Sequence, residues 1–285
     1  MEHILVTGGG GFIGGYVFRH LRRCGYSVVN YDMTGTEKPD DAFIKGSILD
    51  FDSVRSAIEE IDTVFHFAGF SNIDLVKANP LECIRLNIMG TANVLEAIRL
   101  KGKGQFIFAS SVYVHDTKGH FYTTSKLSSE LICKNYSDLY GVSATILRIG
   151  TAYGEKSRHE DVVSLFAKRA CVGEPIIIHG SGAQKRHFIH GDDIAEACRL
   201  IIEKEIKNKT LVLAGERGTS VKELAEIVRK ACPDVAIHQE SDMGREDDYE
   251  GDISNLEETY RLLEWKPQVD LEEGVRRLIK YFRTQ

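Results

Sequence analysis

A doubly wound parallel α/β sheet is the fold that this sequence predicts, and three observations predict it. Short apolar runs alternate with helical stretches through roughly the first 150 residues. A glycine cluster joins the first apolar run to the first helical one, and an aspartate closes the second run. Strands that alternate with helices imply parallel βαβ units, with right-handed crossovers and helices on both faces of the sheet.

The elements follow in order. His3–Val6 is a short apolar run bounded by glycine, which reads as a buried strand. A helix runs from the glycine cluster to about Arg23 and ends at Cys24-Gly25, where glycine serves as a stop. Ser27–Tyr31 is the second strand, closed by Asp32, and Phe43-Ile44 is a weak third. Asp52–Glu60 is helical, with Asp50 or Asp52 as N-cap. Thr63–Phe67 is a strand, Pro80–Lys101 a long amphipathic helix, Gln105–Ala109 a strand, Thr123–Tyr140 a helix and Ser143–Arg148 a strand. After Gly150 the alternation loosens. Helices are expected at Val162–Cys171, Asp192–Lys204 and Val221–Cys232, strands at Pro175–His179 and Leu211–Ala214, and a mostly helical tail from Leu256 to Gln285. The strand at 211–214 could return to the main sheet. The expected organisation is a nucleotide-binding unit over 1–150 and a smaller, mainly substrate-binding α/β lobe over 151–285.

Composition removes several function classes. The 285 residues include 36 basic and 42 acidic side chains, for a net charge of −6. With no basic block, electrostatically driven nucleic-acid binding is not expected. No apolar run approaches the roughly 20 residues of a membrane span. Met1 to Thr7 lacks a basic segment before its short apolar stretch, so no signal peptide is expected. Six cysteines lie far apart with no Cys-x-x-Cys pair, which fits reduced thiols in a cytoplasmic protein and no metal site.

Gly8-x-x-Gly11-x-x-Gly14 lies between a predicted strand and a predicted helix. Such a turn needs glycine for positive φ and for close approach of phosphate to backbone, and the helix N-terminus offers free N–H groups. Asp32 follows Gly14 by 18 residues, at the end of the second strand. That is the position of an acid that accepts from both adenosine ribose hydroxyls and repels a 2′-phosphate, so NAD is expected over NADP, on a Rossmann-type sheet. Tyr122 and Lys126 stand four residues apart on one helix face. A free phenol titrates near about 10, and a nearby ammonium favours the phenolate, so the pair suits a general base. It lies one βα step beyond Ser110-Ser111, at the carboxyl end of a strand, where ligands bind in such sheets.

These residues resemble the extended short-chain dehydrogenase/reductases, in particular the nucleotide-sugar epimerases and dehydratases. Thr7-Gly8-x-x-Gly11-Phe12-Ile13-Gly14 resembles the TGxxGFIG of that family, and His66-Phe67-Ala68-Gly69 its segment beside the dinucleotide. Asn87-x-x-Gly90-Thr91-x-Asn93-Val94-Leu95-Glu96-Ala97 is similar to its NxxGTxNxLEA helix. Ser110-Ser111 and Tyr122-x-x-x-Lys126 match its catalytic serine, tyrosine and lysine. Gly180-x-Gly182-x-Gln184-x-Arg186, Arg245-x-x-Asp248 and Trp265-Lys266-Pro267 are similar to its later motifs.

The resemblance implies a cofactor, NAD, and a substrate, a nucleotide-diphosphate sugar. Tyr122 is then the base toward a sugar hydroxyl, Ser111 shares that oxygen, and Lys126 binds the nicotinamide ribose. Arg186 and Arg245 meet phosphate, and Asp248 a ribose or sugar hydroxyl. The resemblance also implies a homodimer through the helices that hold Asn87–Ala97 and Tyr122–Tyr140. Dehydratases and decarboxylases of the family keep a carboxylate just after the catalytic serine or threonine. Here Val112-Tyr113-Val114 follows Ser111, which points to an epimerase, expected to act at carbon 4. A keto-sugar reductase or a non-catalytic dinucleotide-sensing protein would use the same fold. Departures from the pattern are His115-Asp116, Ser47, Thr151 and His187, and a Ser111-to-Tyr122 loop of only ten residues, which predicts a more open sugar pocket.

Overall fold

The computed structural model describes residues 2–34, 42–71, 73–116, 121–157, 161–241 and 250–285. Seven parallel strands form its central sheet, numbered here in chain order: β1 (His3–Thr7), β2 (Ser27–Asp32), β3 (Phe43–Lys45), β4 (Thr63–His66), β5 (Gln105–Ser111), β6 (Ser143–Ile149) and β7 (Thr210–Leu213). Their spatial order is β7-β6-β5-β4-β1-β2-β3. The chain therefore winds outward from β1 through β2 to β3, then returns to β4 and winds the other way. The reversal opens a crevice beyond the carboxyl ends of β1 and β4, the place where doubly wound sheets bind ligands. The expected return of a strand near 211–214 is met by β7, which pairs with β6 at one edge.

The strands are apolar on both faces because helices cover both. Ile4 and Val6 of β1 with Ile107 of β5 pack against Val17 and Leu21 of the Phe12–Arg23 helix and Ile194 and Ile201 of the Gly191–Glu203 helix. The alternate residues, Leu5, Phe106 and Phe108, join Val54, Val94, Leu95 and Cys133 from the helices on the other face. This period of two is what a pleated strand imposes. The edge strand β7 is covered in turn: the Val212 N–H donates to Thr259 Oγ1 at 2.8 Å, and Tyr260 of the Leu256–Leu263 helix donates to the Ala214 carbonyl at 3.1 Å.

A third apolar cluster draws only on later residues, with Tyr153, Phe166, Ile176, Leu224, Val228 and Leu278 among its members. It sits among the helices Val162–Cys171, Val221–Ala231 and Leu271–Arg283 and the parallel pair Ile176–His179 and Ile237–Glu240. These helices start on sharp signals: Asp161 caps the first, Ser220 and Glu223 form a capping box on the second, and Asp270 caps the third. Short strands at Thr151–Tyr153, Lys185–Arg186, Phe188–His190 and Thr219–Ser220 were not expected, since two or three residues carry too little periodicity to read. Pro80–Lys101 is continuous but not uniform. A wide π-type turn at Arg85–Met89 interrupts it around Asn87. Among the described residues, no helix is long and apolar enough to cross a membrane.

One buried polar column ties the crevice together. His66 ends β4 beside Thr7 and is 1% exposed. Thr91 Oγ1 donates to the Asn87 carbonyl at 2.5 Å, so it accepts from His66 Nε2 at 3.1 Å. His66 Nδ1 then accepts from Thr7 Oγ1 at 2.8 Å, and Thr7 Oγ1 accepts the Ala68 N–H at 3.3 Å. The ring is thus a neutral Nε2–H tautomer. Burial first, and the Lys126 ammonium second, push its pKa down to about 3. A histidine depressed in the folded state supplies stability that is complete above its unfolded value and drains as pH falls toward the folded one. Lowering the pH from 7 to 5 should therefore cost the wild type about 2 kcal/mol more than a His66→Gln variant, read from urea unfolding. Equal losses in the two proteins would show that His66 is not the sensitive group.

Candidate active site

The crevice holds a cleft of ≈ 760 Å³, within the usual range for small-molecule sites. Its first wall is the glycine turn. Gly8 leaves β1 with φ of +73°, and its N–H donates to the Tyr31 carbonyl at 2.9 Å. A Cβ at Gly8 would stand 2.6 Å from the Ala68 backbone nitrogen, and one at Gly14 2.3 Å from the Gly8 carbonyl. The turn therefore lies flat between the exit of β4 and the following helix. That helix, Phe12–Arg23, has Gly11 as N-cap and no side-chain cap, which leaves its positive end available to an anion. Asp32 closes this side. One carboxylate oxygen accepts from Gly10 N–H at 2.9 Å, the other from Thr34 N–H at 3.0 Å and Thr34 Oγ1 at 3.2 Å, so the acid is oriented by the backbone it faces.

Phe67, Ala68 and Gly69 form the opposite wall. Asn87 is buried behind them and does not line the cleft. Its side chain grips the backbone of Phe70, accepting at 2.6 Å and donating at 3.0 Å, and donates to Ser125 Oγ at 2.8 Å. The π-type turn aims Asn87 this way. Ser125 Oγ in turn donates to the Tyr122 carbonyl at 2.7 Å, so one amide couples the dinucleotide-side wall to the start of the Phe121–Tyr140 helix.

Ser111, Tyr122 and Lys126 meet at the inner end of the cleft. Ser111 is the last residue of β5, and its hydroxyl hydrogen-bonds the Tyr122 phenol. Burial pushes the phenol up to about 12, against the pull of the Ser111 hydrogen bond. Lys126 Nζ donates to the Ala109 carbonyl at 2.8 Å and lies 4.9 Å from the Phe108 ring centroid and 5.9 Å from that of Tyr122. Burial lowers the ammonium to about 8, so it is still mainly charged at neutral pH. The expected lowering of Tyr122 by Lys126 does not appear here: desolvation governs both groups and acts on each in the direction of neutrality.

Glu130, four residues beyond Lys126, completes a stripe that sequence reasoning missed. Ser110 Oγ donates to it at 2.6 Å, and Arg148 of β6 pairs with it bidentately at 2.8 and 3.1 Å. Both charges are largely buried. Arg148 also reaches Asp252 at 3.5 Å. The signal was present, since Tyr122, Lys126 and Glu130 share the four-residue spacing of one helix face.

On the outer side, Arg186 lines the cleft with Tyr113, Asp116, Thr151 and Asp161. Tyr113 and Thr151 join hydroxyls at 3.0 Å, and the Arg186 guanidinium lies 5.6 Å over the Tyr113 ring. Neither Tyr113 nor its contacts were anticipated as site features. His187, one of the departures from the family pattern, is buried and faces the Gly215 carbonyl at 2.9 Å from Nδ1. Arg245 and Asp248 lie outside the described residues.

A family model described as the NAD dependent epimerase/dehydratase family matches residues 4–214. This chain belongs to that family. It is 30% identical over 306 residues to a putative UDP-glucose 4-epimerase of Methanocaldococcus jannaschii, a match that covers 99% of this chain and 98% of that one. Its fold superposes with a TM-score of 0.88 on the UDP-glucose 4-epimerase of Thermotoga maritima bound to UDP-glucose, at 27% identity and 99% coverage of both chains. The UDP-glucuronic acid 4-epimerase of Bacillus cereus, solved with UDP-glucuronic acid and NAD, gives 0.87 at 25% identity, again over 99% of each chain. The family is NAD-dependent, and the glycine turn, the open helix end and Asp32 fit that cofactor. A Gly8→Ala variant should lose NAD affinity by tenfold or more, an estimate of about 1.4 kcal/mol or greater for the strained φ and the displaced Ala68 backbone. Calorimetric titration with NAD checks this, and wild-type affinity in the variant would show that the turn does not cradle the phosphates.

Proposed function

We propose that this protein is an NAD-dependent epimerase of a nucleotide-diphosphate sugar, inverting carbon 4 through a transient keto-sugar. The observation that carries the reading is the make-up of the cleft's inner end. A serine, a tyrosine and a lysine converge there, and fully buried Val112 and then Tyr113 follow Ser111 where elimination or decarboxylation chemistry would call for a carboxylate. Epimerisation by oxidation and reduction needs only a base that later returns its proton and a cofactor held in place. The relatives named as 4-epimerases support the same chemistry.

In this reading Tyr122, as phenolate, takes the proton from the sugar's C4 hydroxyl and later gives it back. Ser111 hydrogen-bonds the same oxygen and holds it toward the phenol. Lys126 keeps a positive charge beside the ring and binds the nicotinamide ribose. Bound NAD supplies the hydride acceptor and donor. Gly8, Gly11, Phe12, Ile13, Gly14, Asp32, Phe67, Ala68 and Gly69 hold that cofactor, with Asn87 supporting the wall from behind. Arg186 takes the diphosphate, joined by Arg245 from the motif it matches, and Asp248 of the same motif accepts from a ribose or sugar hydroxyl. Residues 1–150, with β7, carry the cofactor half, and 151–285 mainly the substrate half.

The protein is also proposed to be a cytoplasmic homodimer. All six cysteines are free, which suits a reducing compartment. Among the described residues, seven of the eleven large exposed hydrophobic residues lie on the adjoining helical stretches Pro80–Lys101 and Phe121–Tyr140, including Leu81 at 75% and Leu139 at 70% exposure. Such an apolar surface marks an interface, and a second copy of the chain can cover both helices at once. Sedimentation should give a dimer for the wild type, and a Leu131→Glu, Leu139→Glu pair should give a folded monomer. A monomeric wild type would remove this part of the reading.

The activity test uses the purified protein with UDP-, dTDP-, GDP- and CDP-sugars and no added cofactor. Epimer formation is expected, with kcat reduced about 10²–10⁴-fold in Tyr122→Phe. Turnover only of keto-sugars with added reduced nicotinamide would replace the reading by a reductase. Binding without turnover, unchanged in Tyr122→Phe, would replace it by a sensor. The pH profile follows from the same groups. With the phenol at about 12, kcat/KM should climb with pH through neutrality and level off above about 8, where Lys126 loses its charge. A profile flat from pH 6 to 8 would show that the Tyr122 phenol titrates below this range in the working enzyme and would overturn the expected pH dependence.

A further inference from the structure

Tyr113 lies between the two ends of the cleft that the proposed function uses, and it has no part in the chemistry described above. The backbone on either side of it is pinned. Its own N–H donates to Ser111 Oγ at 3.2 Å, Val112 N–H donates to the Ile149 carbonyl at 3.1 Å, and Asp252 N–H donates to the Val112 carbonyl at 2.8 Å. The phenol is pinned at its far end as well, by the 3.0 Å contact with Thr151 Oγ1. A ring held at both ends presents a fixed face, and the Arg186 guanidinium lies over it at 5.6 Å from the centroid, with Nη1 donating to the Lys185 carbonyl at 2.9 Å. Arg186 stands on the two-residue strand Lys185–Arg186, which pairs with Thr219–Ser220. An aromatic face under a guanidinium adds orientation, because the ring fixes the plane in which the guanidinium N–H groups lie.

We propose that Tyr113 is a positioning residue for substrate: its ring aims Arg186 at the diphosphate, and its hydroxyl, joined to Thr151, forms the wall between the diphosphate and the reacting sugar. The inference rests on the reading that the cleft takes a nucleotide-diphosphate sugar. It assigns substrate selection to a residue two positions beyond Ser111. Because the diphosphate is remote from the bond that reacts, loss of its positioning weakens ground state and transition state alike, which raises KM and spares kcat.

The test compares the wild type, Tyr113→Leu, Tyr113→Phe, Arg186→Gln and the Leu–Gln double variant on whichever nucleotide sugar the wild type turns over. Tyr113→Leu should raise KM about fivefold or more with kcat within about twofold, the scale of a partly desolvated cation–π contact. Tyr113→Phe, which keeps the face, should bring KM back to within about twofold of the wild type by the same scale. The double variant should be no worse than Arg186→Gln alone, since both remove one interaction. NAD affinity should be equal in all five proteins. Should Tyr113→Leu fail to fold, Tyr113→Met is read by the same criteria. An unchanged KM in the Leu variant, a fall in kcat without a rise in KM, or full additivity with Arg186→Gln would overturn the proposal while leaving the epimerase reading intact. A wild type that turns over no nucleotide sugar overturns the functional reading, and this inference with it.

Discussion

The parallel pairing of β1 with β4, of β4 with β5 and of β5 with β6 is the constraint on which the rest of the molecule depends. Parallel strands must be joined by crossovers, so their carboxyl ends collect on one edge. Thr7, His66, Ser111 and Ile149, far apart in the chain, are brought to that edge by register alone, with Thr7 opposite His66 and Ser111 opposite Ile149. The glycine turn leaves from one of these ends and the serine that meets Tyr122 from another. A one-residue slip would turn each of these side chains to the opposite face. The apolar residues above and below the sheet prevent it, because both faces are buried and each has its own set of partners.

Around that edge, burial and charge compete, and the outcome differs from group to group. His66 is held neutral by burial and by two threonine hydroxyls, so it serves as a rigid polar strut and not as an acid. Glu130 and Arg148 are also buried, yet they face each other bidentately and Ser110 donates to the same carboxylate. A pair of this kind gives little net stability over an apolar filling, but it sets geometry, because each partner is costly to leave alone. Here it joins the helix of Tyr122 and Lys126 to β5 and β6. Tyr122 and Lys126 lie between these extremes. Desolvation pushes both toward neutrality, and the hydroxyl of Ser111 and the carbonyl of Ala109 are the groups that hold them in place.

Much of the fold could be read from the chain because its signals are local. Apolar runs bounded by glycine located six of the seven strands closely, and even the returning strand near 211–214 was visible as a short apolar run. The site was legible to the same degree where a motif is local, as in the glycine turn and the Tyr122–Lys126 pair. It was not legible where function depends on partners from distant segments. Asn87 was placed with the cofactor by its motif, whereas the structure puts it behind the wall, holding Phe70 and Ser125. Glu130 had the spacing to be noticed, but its partner Arg148 is 18 residues away on the strand β6.

The amino-acid sequence by itself determined the order of elements, the glycine turn, the acid after the second strand and the absence of a carboxylate after Ser111. Each of these is a property of neighbouring residues, set by backbone sterics, periodicity or the chemistry of a single side chain. The tertiary structure alone decided which distant groups meet: Arg186 over Tyr113, Tyr113 against Thr151, and the burial that moves Tyr122, Lys126 and His66 away from their ordinary pKa values. The reason is physical. Desolvation and side-chain contact depend on every segment that packs around a group, and no spacing within one segment can encode them.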